Sequence, residues 1–251
     1  MFGLKNYGGS CWLNSCLQSL FRIPEIIQRY SQQQDYINDV DTSLSKIWKS
    51  NGNEGLQDLF NAITTNKDAA YEMLAGRGLG DANEALVYFC DKLPFLESLC
   101  KYEVTEIIEC KCGFSRRIED TQIQFQLYPN ARETITQSIL NKVQPEKLDE
   151  WKCDKCSERG LAEKKLSLKN FPKLFVFKLL NNNPITLSQV LVINSFKYEL
   201  VSCSLFNGGH WWTYGKNLGQ SWVCYNDQQI AQLRQSPQIS NSKMLIYYRV
   251  N

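Results

Sequence analysis

Close to the start of the chain lies the stretch GLKNYGGSCWLNSCLQSLF, residues 3–21. Downstream of Cys11, the residues Leu13, Cys16, Leu17, Leu20 and Phe21 recur at the spacing of an amphipathic helix rather than a strand. The cysteine therefore stands at a helix start, directly behind Gly8, Gly9 and Ser10. Unpaired backbone N–H groups and the positive end of the helix dipole favour a thiolate there, which is one way to make a cysteine reactive. A small buried filler in a turn is the commoner fate of a free cysteine. The glycines argue for the reactive reading, because residues without a Cβ let the backbone approach a ligand closely.

A chain of 251 residues, 43% hydrophobic and 22% charged, is long enough to bury a core of one large or two intimate domains. The formal charge of +2, with no lysine- or arginine-rich block, argues against a nucleic-acid partner. No run approaches the ~18 apolar residues of a membrane span, and no charged-then-apolar leader opens the sequence, so no membrane partner and a cytoplasmic or nuclear location are expected. Ten cysteines in that setting read as thiols, metal ligands or a nucleophile rather than a disulfide framework. A single histidine, His210, is present.

From residue 11 to about 99 the pattern is mostly helical. In DANEALVYFCDKL, Asp81 and Glu84 form a capping-box pair ahead of Leu86, Phe89, Cys90 and Leu93 on one face. After Pro94 come strand-like runs, KYEVTEIIE and TQIQFQL, then a polar helix or loop between about 130 and 150. From Leu166 onward KLFVFKLL, VLVI, KYELVSCSLF, HWWTY, SWVCYND and KMLIYYRV are all β-like. Helices first and strands after make an α+β layout rather than a βαβ alternation. The Gln- and Asn-rich patch at 31–40 is too short to be a low-complexity segment.

Two thiol pairs, Cys110 and Cys112 in ECKCG and Cys153 and Cys156 in WKCDKC, have the layout of two knuckles closed by one zinc ion. Four thiolates leave no open position, so such a zinc would be structural. An unmetallated remnant of a ribbon is the alternative, and C-x-C is the less usual spacing. Cys90, Cys100, Cys203 and Cys224 fall in apolar periodic segments and read as core.

His210 follows two glycines and leads into HWWTY. If HWWTY and SWVCY are neighbouring antiparallel strands joined at KNLGQ, Asn226 and Asp227 return to the level of His210. A side-chain amide there would hold one imidazole nitrogen and turn the other towards a thiol. A satisfied structural histidine is the other reading. Strand alternation sends Asn226 and Asp227 to opposite faces, so only one is expected to meet His210 directly.

These segments resemble the ubiquitin-specific proteases from end to end. GLKNYGGSCWLNSCLQSL resembles their cysteine box, and YELVSCSLFNGGHWWTY with WVCYND their histidine box. DANEAL resembles the acidic-box segment, the four cysteines match the zinc-ribbon positions, KKLSLKNFPKLFVFKLL resembles the strands leading into the palm, and KMLIYYR resembles the terminal strand. The resemblance implies a papain-like fold of a single catalytic domain over 1–251, with a helical thumb over about 1–99, zinc-bearing fingers over about 100–162 and a β palm over about 163–251. It implies a monomer that takes ubiquitin and ubiquitinated proteins as partners and cuts after the ubiquitin C-terminal glycine. By position, Cys11 would be the nucleophile, His210 the base, Asn226 the third member and Asn6 the oxyanion-hole amide.

Departures from the family are Gly9 for Asn, Trp12 for Tyr or Phe, Leu79 and Gly80 for glutamines, and Phe206 for a histidine in a shortened histidine box. With no appended domain, a bare catalytic core is expected. Two other readings stand beside it. A general papain-type protease shares GSCW, but there the histidine follows at roughly 130 to 150 residues, closer than His210 lies to Cys11. A ubiquitin-binding pseudoprotease would keep the grip without the chemistry.

Overall fold

The computed structural model describes residues 1–32, 35–66, 68–75 and 80–251. Leu79 and part of the 31–40 patch lie outside them. The helices come first: α1 (Cys11–Leu20), α2 (Pro24–Ser31), α3 (Asp39–Lys49), α4 (Leu56–Thr64), a 3-10 segment (Ala69–Leu74), α5 (Ala82–Lys92) and α6 (Pro94–Cys100). Pro24 and Pro94 open α2 and α6, where a missing N–H costs nothing. Then follow β1 (Tyr102–Cys110), β2 (Ser115–Gln122), β3 (Phe125–Leu127), α7 (Ile135–Val143), β4 (Glu146–Leu148), β5 (Ala162–Lys169), β6 (Leu174–Leu179) and β7 (Ile185–Thr186). The chain closes with β8 (Val190–Ile193), β9 (Phe196–Phe206), β10 (Trp211–Gly215), β11 (Val223–Asn226), β12 (Gln229–Gln232), β13 (Ile239–Ser240) and β14 (Ser242–Arg249).

An eight-stranded sheet runs in the order β12-β11-β10-β9-β14-β6-β3, with β8 also on β9. A four-stranded sheet, β2-β1-β5-β4, stands apart from it, and β7 pairs with β13. The large sheet is covered on both faces, which is why LFVFKL and KMLIYYR are largely apolar on both sides. Alternation still sorts them: Leu174, Val176, Met244 and Ile246 pack towards the helices. Phe175, Phe177, Leu245 and Tyr247 fill a second core on the other face.

Helix α1 lies at the centre of the first core, and all ten of its residues are buried. Its apolar period is as the spacing predicts, but the opposite stripe does not meet water. Ser15 and Thr213 share a 2.7 Å hydroxyl contact, Ser19 reaches Ser204 at 3.1 Å, and Gln18 donates to the Phe2 carbonyl at 2.8 Å. Buried polar groups need partners, and here the partners are β9, β10 and the N-terminal segment.

Two local details differ from the sequence reading. Asp81 caps α5 through the Asn83 N–H at 2.7 Å, but Glu84 pairs with Lys178 at 2.6 Å instead of closing a capping box. The reciprocal box forms at Thr134 and Gln137 of α7. In TQIQFQL the pairing stops at Gln122 and resumes at Phe125 on a different sheet.

The N-terminal segment is held against the turn between β11 and β12: the Leu4 N–H donates to the Asp227 carbonyl at 2.9 Å. Gly3 permits this approach, since a Cβ there would lie 2.4 Å from the Gln228 carbonyl oxygen. Gly3→Ala should therefore lower unfolding stability by about 1–3 kcal/mol, the usual cost of forced overpacking. Urea unfolding measures it, and an unchanged midpoint would mean that the segment shifts freely.

Candidate active site

Cys11 is the first residue of α1 and is 2% exposed. The loop before it is folded around Asn6, whose Oδ1 accepts from the Gly9 N–H at 3.0 Å and the Ser10 N–H at 3.2 Å. Ser10 does not cap the helix; its hydroxyl accepts from the Tyr7 N–H at 2.9 Å. Gly8 and Gly9 have φ of 77° and 103°, the region that glycine tolerates best. A Cβ on Gly8 would meet nothing within 4 Å, so conformation rather than crowding requires glycine there.

Burial pushes the Cys11 thiol above its ordinary value, and the nearby Asp227 carboxylate adds to this; the N–H groups of Trp211, Trp12 and Cys11 itself pull the other way without winning. The helix-start argument alone predicts a lowered value. Desolvation outweighs it here, and among the described residues no hydrogen bond joins the thiol to His210.

His210 closes a tight link between β9 and β10. Asn207 shapes it: its Oδ1 accepts from the Gly209 N–H at 3.2 Å and the His210 N–H at 2.9 Å. The imidazole stacks on Trp212 with ring centroids 6.4 Å apart. Its Nε2 lies 2.6 Å from Asn226 Oδ1. An amide oxygen only accepts, so Nε2 carries the proton and Nδ1 of the neutral ring holds the lone pair.

Asp227 is not on a strand, contrary to the alternation argument. It sits in the β11–β12 turn with φ of 51°, so both Asn226 and Asp227 reach the same site. Asp227 Oδ2 is 3.9 Å from His210 Nε2 but only 2.9 Å from the Asn6 Nδ2 that donates to it. Its Oδ1 accepts from Asn14 Nδ2 at 2.7 Å, and Asn14 also donates to the carbonyls of Leu4 and Lys5. Asn14 and Asn207 were not singled out by sequence reasoning. Asn14 had one signal, a polar residue one turn after Cys11 in a helix too apolar to be exposed.

Gly80 lies between two indoles. A Cβ on it would lie 2.6 Å from the Trp12 ring, and its carbonyl accepts from Trp211 Nε1 at 3.1 Å. Phe206 stacks on Trp211 at 4.9 Å, which replaces a polar side chain at the site's rim with an aromatic wall.

The four cysteines of the two knuckles converge far along the four-stranded sheet, all sulfur atoms within 4.8 Å of one another. The Cys110–Cys156 and Cys112–Cys153 sulfurs are 3.9 and 3.6 Å apart. A tetrahedron of Zn–S bonds has edges of about 3.8 Å, so the donor set fits zinc. Gly113 and Ser157 turn the knuckles with φ of 82° and 61°. A small core of Ile108 and Ala162, flanked by stacked Phe114 and Trp151, supports them.

Helices against one face of a mainly antiparallel sheet, a cysteine heading the central helix and a histidine on the facing hairpin make the arrangement of the papain-like class. The chain belongs to the ubiquitin carboxyl-terminal hydrolase family, whose model matches residues 2–247. It is 26% identical over 238 residues to ubiquitin carboxyl-terminal hydrolase 47 of Drosophila melanogaster, covering 77% of this chain and 15% of that protein. It is 22% identical to ubiquitin carboxyl-terminal hydrolase 25 of Arabidopsis thaliana, covering 98% of this chain and 47% of that one. The chain thus spans less than half the length of these curated relatives. Among solved structures it is similar to the SAGA DUB module of Ubp8, Sgf11, Sus1 and Sgf73 bound to monoubiquitin, with TM-score 0.83 at 18% identity over 100% of this chain and 69% of that one. The module bound to ubiquitin aldehyde gives 0.82 at 17%, over 100% and 70%. At such identities the likeness is one of fold.

Because the thiol is raised and not ion-paired, its alkylation in the free protein should accelerate as pH rises through a midpoint above the ordinary cysteine value of ~8.5. Iodoacetamide labelling of the Cys11 peptide, followed by mass spectrometry, reads that midpoint. A midpoint near neutrality would reveal a preformed thiolate–imidazolium pair.

Proposed function

We propose that this chain is a deubiquitinating cysteine protease that hydrolyses the peptide or isopeptide bond after the C-terminal glycine of ubiquitin. The observation that carries the reading is the 2.6 Å contact of His210 Nε2 with Asn226, which leaves Nδ1 free to act as a base on the residue just before Trp211, whose backbone N–H favours the Cys11 thiolate. Membership of the family and the ubiquitin named in the similar Ubp8 structures support the substrate.

In this mechanism the Cys11 thiol passes its proton to His210 Nδ1, and the sulfur attacks the glycine carbonyl carbon. Charge develops on the carbonyl oxygen, where the second Nδ2 hydrogen of Asn6 and the free N–H groups of the α1 start can receive it. The imidazolium returns its proton to the leaving amine, and His210 then activates a water that hydrolyses the thioester. Asn226 orients the ring without adding charge. Asp227 acts through Asn6, holding the amide that the Gly9 and Ser10 N–H groups hold from its other end.

The buried, protonated thiol also favours a second reading, a ubiquitin-binding pseudoprotease. A ubiquitin probe with a C-terminal electrophile and a ubiquitin C-terminal fluorogenic conjugate separate the two, with casein as a control for a general protease. Labelling and turnover should be abolished by Cys11→Ala; a wild type inert to both would leave only the binding role. Asn6→Ala should lower kcat by ~10²–10³ with little change in KM, the loss of one oxyanion donor. Asn226→Ala should lower kcat more than Asp227→Ala. Asp227→Ala should cost much less once Asn6 is already Ala; additive losses would detach Asp227 from the oxyanion site.

The cysteine cluster holds one structural zinc in this reading, contributing folding energy to the outer sheet. Elemental analysis should find close to one zinc per chain, lost in Cys153→Ser/Cys156→Ser together with thermal stability, while folded molecules still react with the ubiquitin probe. A metal-free wild type of full stability would make the cluster a remnant. Six cysteines outside the cluster, none of them in a disulfide, support a reducing compartment, cytoplasm or nucleus, and the enzyme is taken to act as a monomer.

A further inference from the structure

The exposed edges of the two large sheets are protected unequally. Strand β2, SRRIEDTQ, carries Arg116, Arg117, Glu119 and Asp120, and β12 begins and ends in glutamine. Such side chains discourage another strand from pairing. Strand β8 reads VLVI, and its only neighbour among the described residues is β9.

The hydrogen-bonding groups of that edge can be assigned from the register. Asn194 and Ser195 both have left-handed φ, 48° and 70°, and form the two-residue turn between Ile193 and Phe196. In such a hairpin the residues flanking the turn are a hydrogen-bonded pair. The Leu200 N–H donates to the Gln189 carbonyl at 3.0 Å, two steps further along the same parity. Residues 189, 191 and 193 therefore bond to β9, and Val190 and Val192 aim their N–H and C=O groups outward. Among the described residues none of these four groups has a partner. The Val190 and Val192 side chains are 44% and 70% exposed.

Beside this edge is an apolar cavity of about 310 Å³. One wall is α7 with Ile139, Leu140 and Val143, the floor is β5 with Leu166 and Leu168, and Val192 of β8 forms the opposite side. Leu140 is 51% exposed at its rim. A ladder with free donors and acceptors next to an aliphatic cavity matches one kind of occupant: backbone in the β conformation that carries apolar side chains at alternate positions.

We infer that β8 is a strand-addition site, where an extended apolar segment of another protein pairs with Val190 and Val192 and seats an aliphatic side chain between α7 and β5. A second copy of this chain fits less well. A free edge of four residues falls far short of the ~1,000 Å² that a stable interface needs.

The test uses the full chain and a short fluorescein-labelled peptide that alternates threonine with leucine. Fluorescence polarisation should show saturable binding, and hydrogen exchange of the Val190 and Val192 amides should slow in the complex. Peptide N-methylated at its leucines, which lacks the required N–H groups, should bind ~10-fold or more weakly, as should Leu140→Asp and Val192→Lys proteins. Reaction with the ubiquitin probe serves as the check that both variants are folded. Absence of saturation, equal binding of the N-methylated peptide, or protection elsewhere would overturn the inference. So would self-association of the free chain that Val192→Lys abolishes, since the edge would then be taken by a second copy.

Discussion

The carboxylate of Asp227 is the point where three separate stretches of chain meet. One oxygen takes a hydrogen bond from Asn6 in the loop before the cysteine, and the other takes one from Asn14 on α1. The carboxylate itself belongs to the turn that follows Asn226, the partner of His210. A charge at this depth is tolerated because both oxygens are satisfied, and a charge-assisted hydrogen bond is roughly twice as strong as a neutral one. The loop before Cys11, helix α1 and the turn after the His210 partner therefore share one fixed reference. Gly3, the bond from Leu4 to Asp227 and the left-handed turn all serve to bring that carboxylate within reach.

Much of the layout was legible in the sequence because it follows from period. The α1 helix begins at the cysteine, the hairpin strands fall where alternation put them, and helices precede strands as the layout required. His210 and Asn226 meet, and the four cysteines converge, because strand pairing and knuckle spacing are nearly local properties. What could not be read was decided by burial and by distant partners. Glu84 leaves its cap because Lys178, far along the chain, offers a charge. The thiol is raised because α1 is enclosed on every side, which no helical wheel of its ten residues reveals. Asp227 was assigned to a strand face when it occupies a turn, and its attachment to Asn6 spans nearly the whole chain.

The buried polar stripe of α1 explains why the site is rigid where it must be. Ser15, Gln18 and Ser19 bind β10, the N-terminal segment and β9, so the helix cannot rotate or slide without orphaning several buried groups at once. An apolar face alone would allow small slips, since Leu, Cys and Phe exchange neighbours at little cost. Hydrogen bonds at fixed geometry do not, and they fix the position of the cysteine at the head of the helix.

The separation in sequence between Asn6 and Asp227 has a consequence for synthesis. The cysteine, its glycine loop and α1 leave the ribosome first, while the histidine hairpin and the carboxylate that orders Asn6 follow some two hundred residues later. Until they arrive, Ser15 and Ser19 lack their partners on β10 and β9 and Asn14 lacks the Asp227 carboxylate, and contacts so remote form slowly. A nascent chain thus carries Cys11 well before the segment that holds His210, Asn226 and Asp227, and only when that segment emerges can these groups come together.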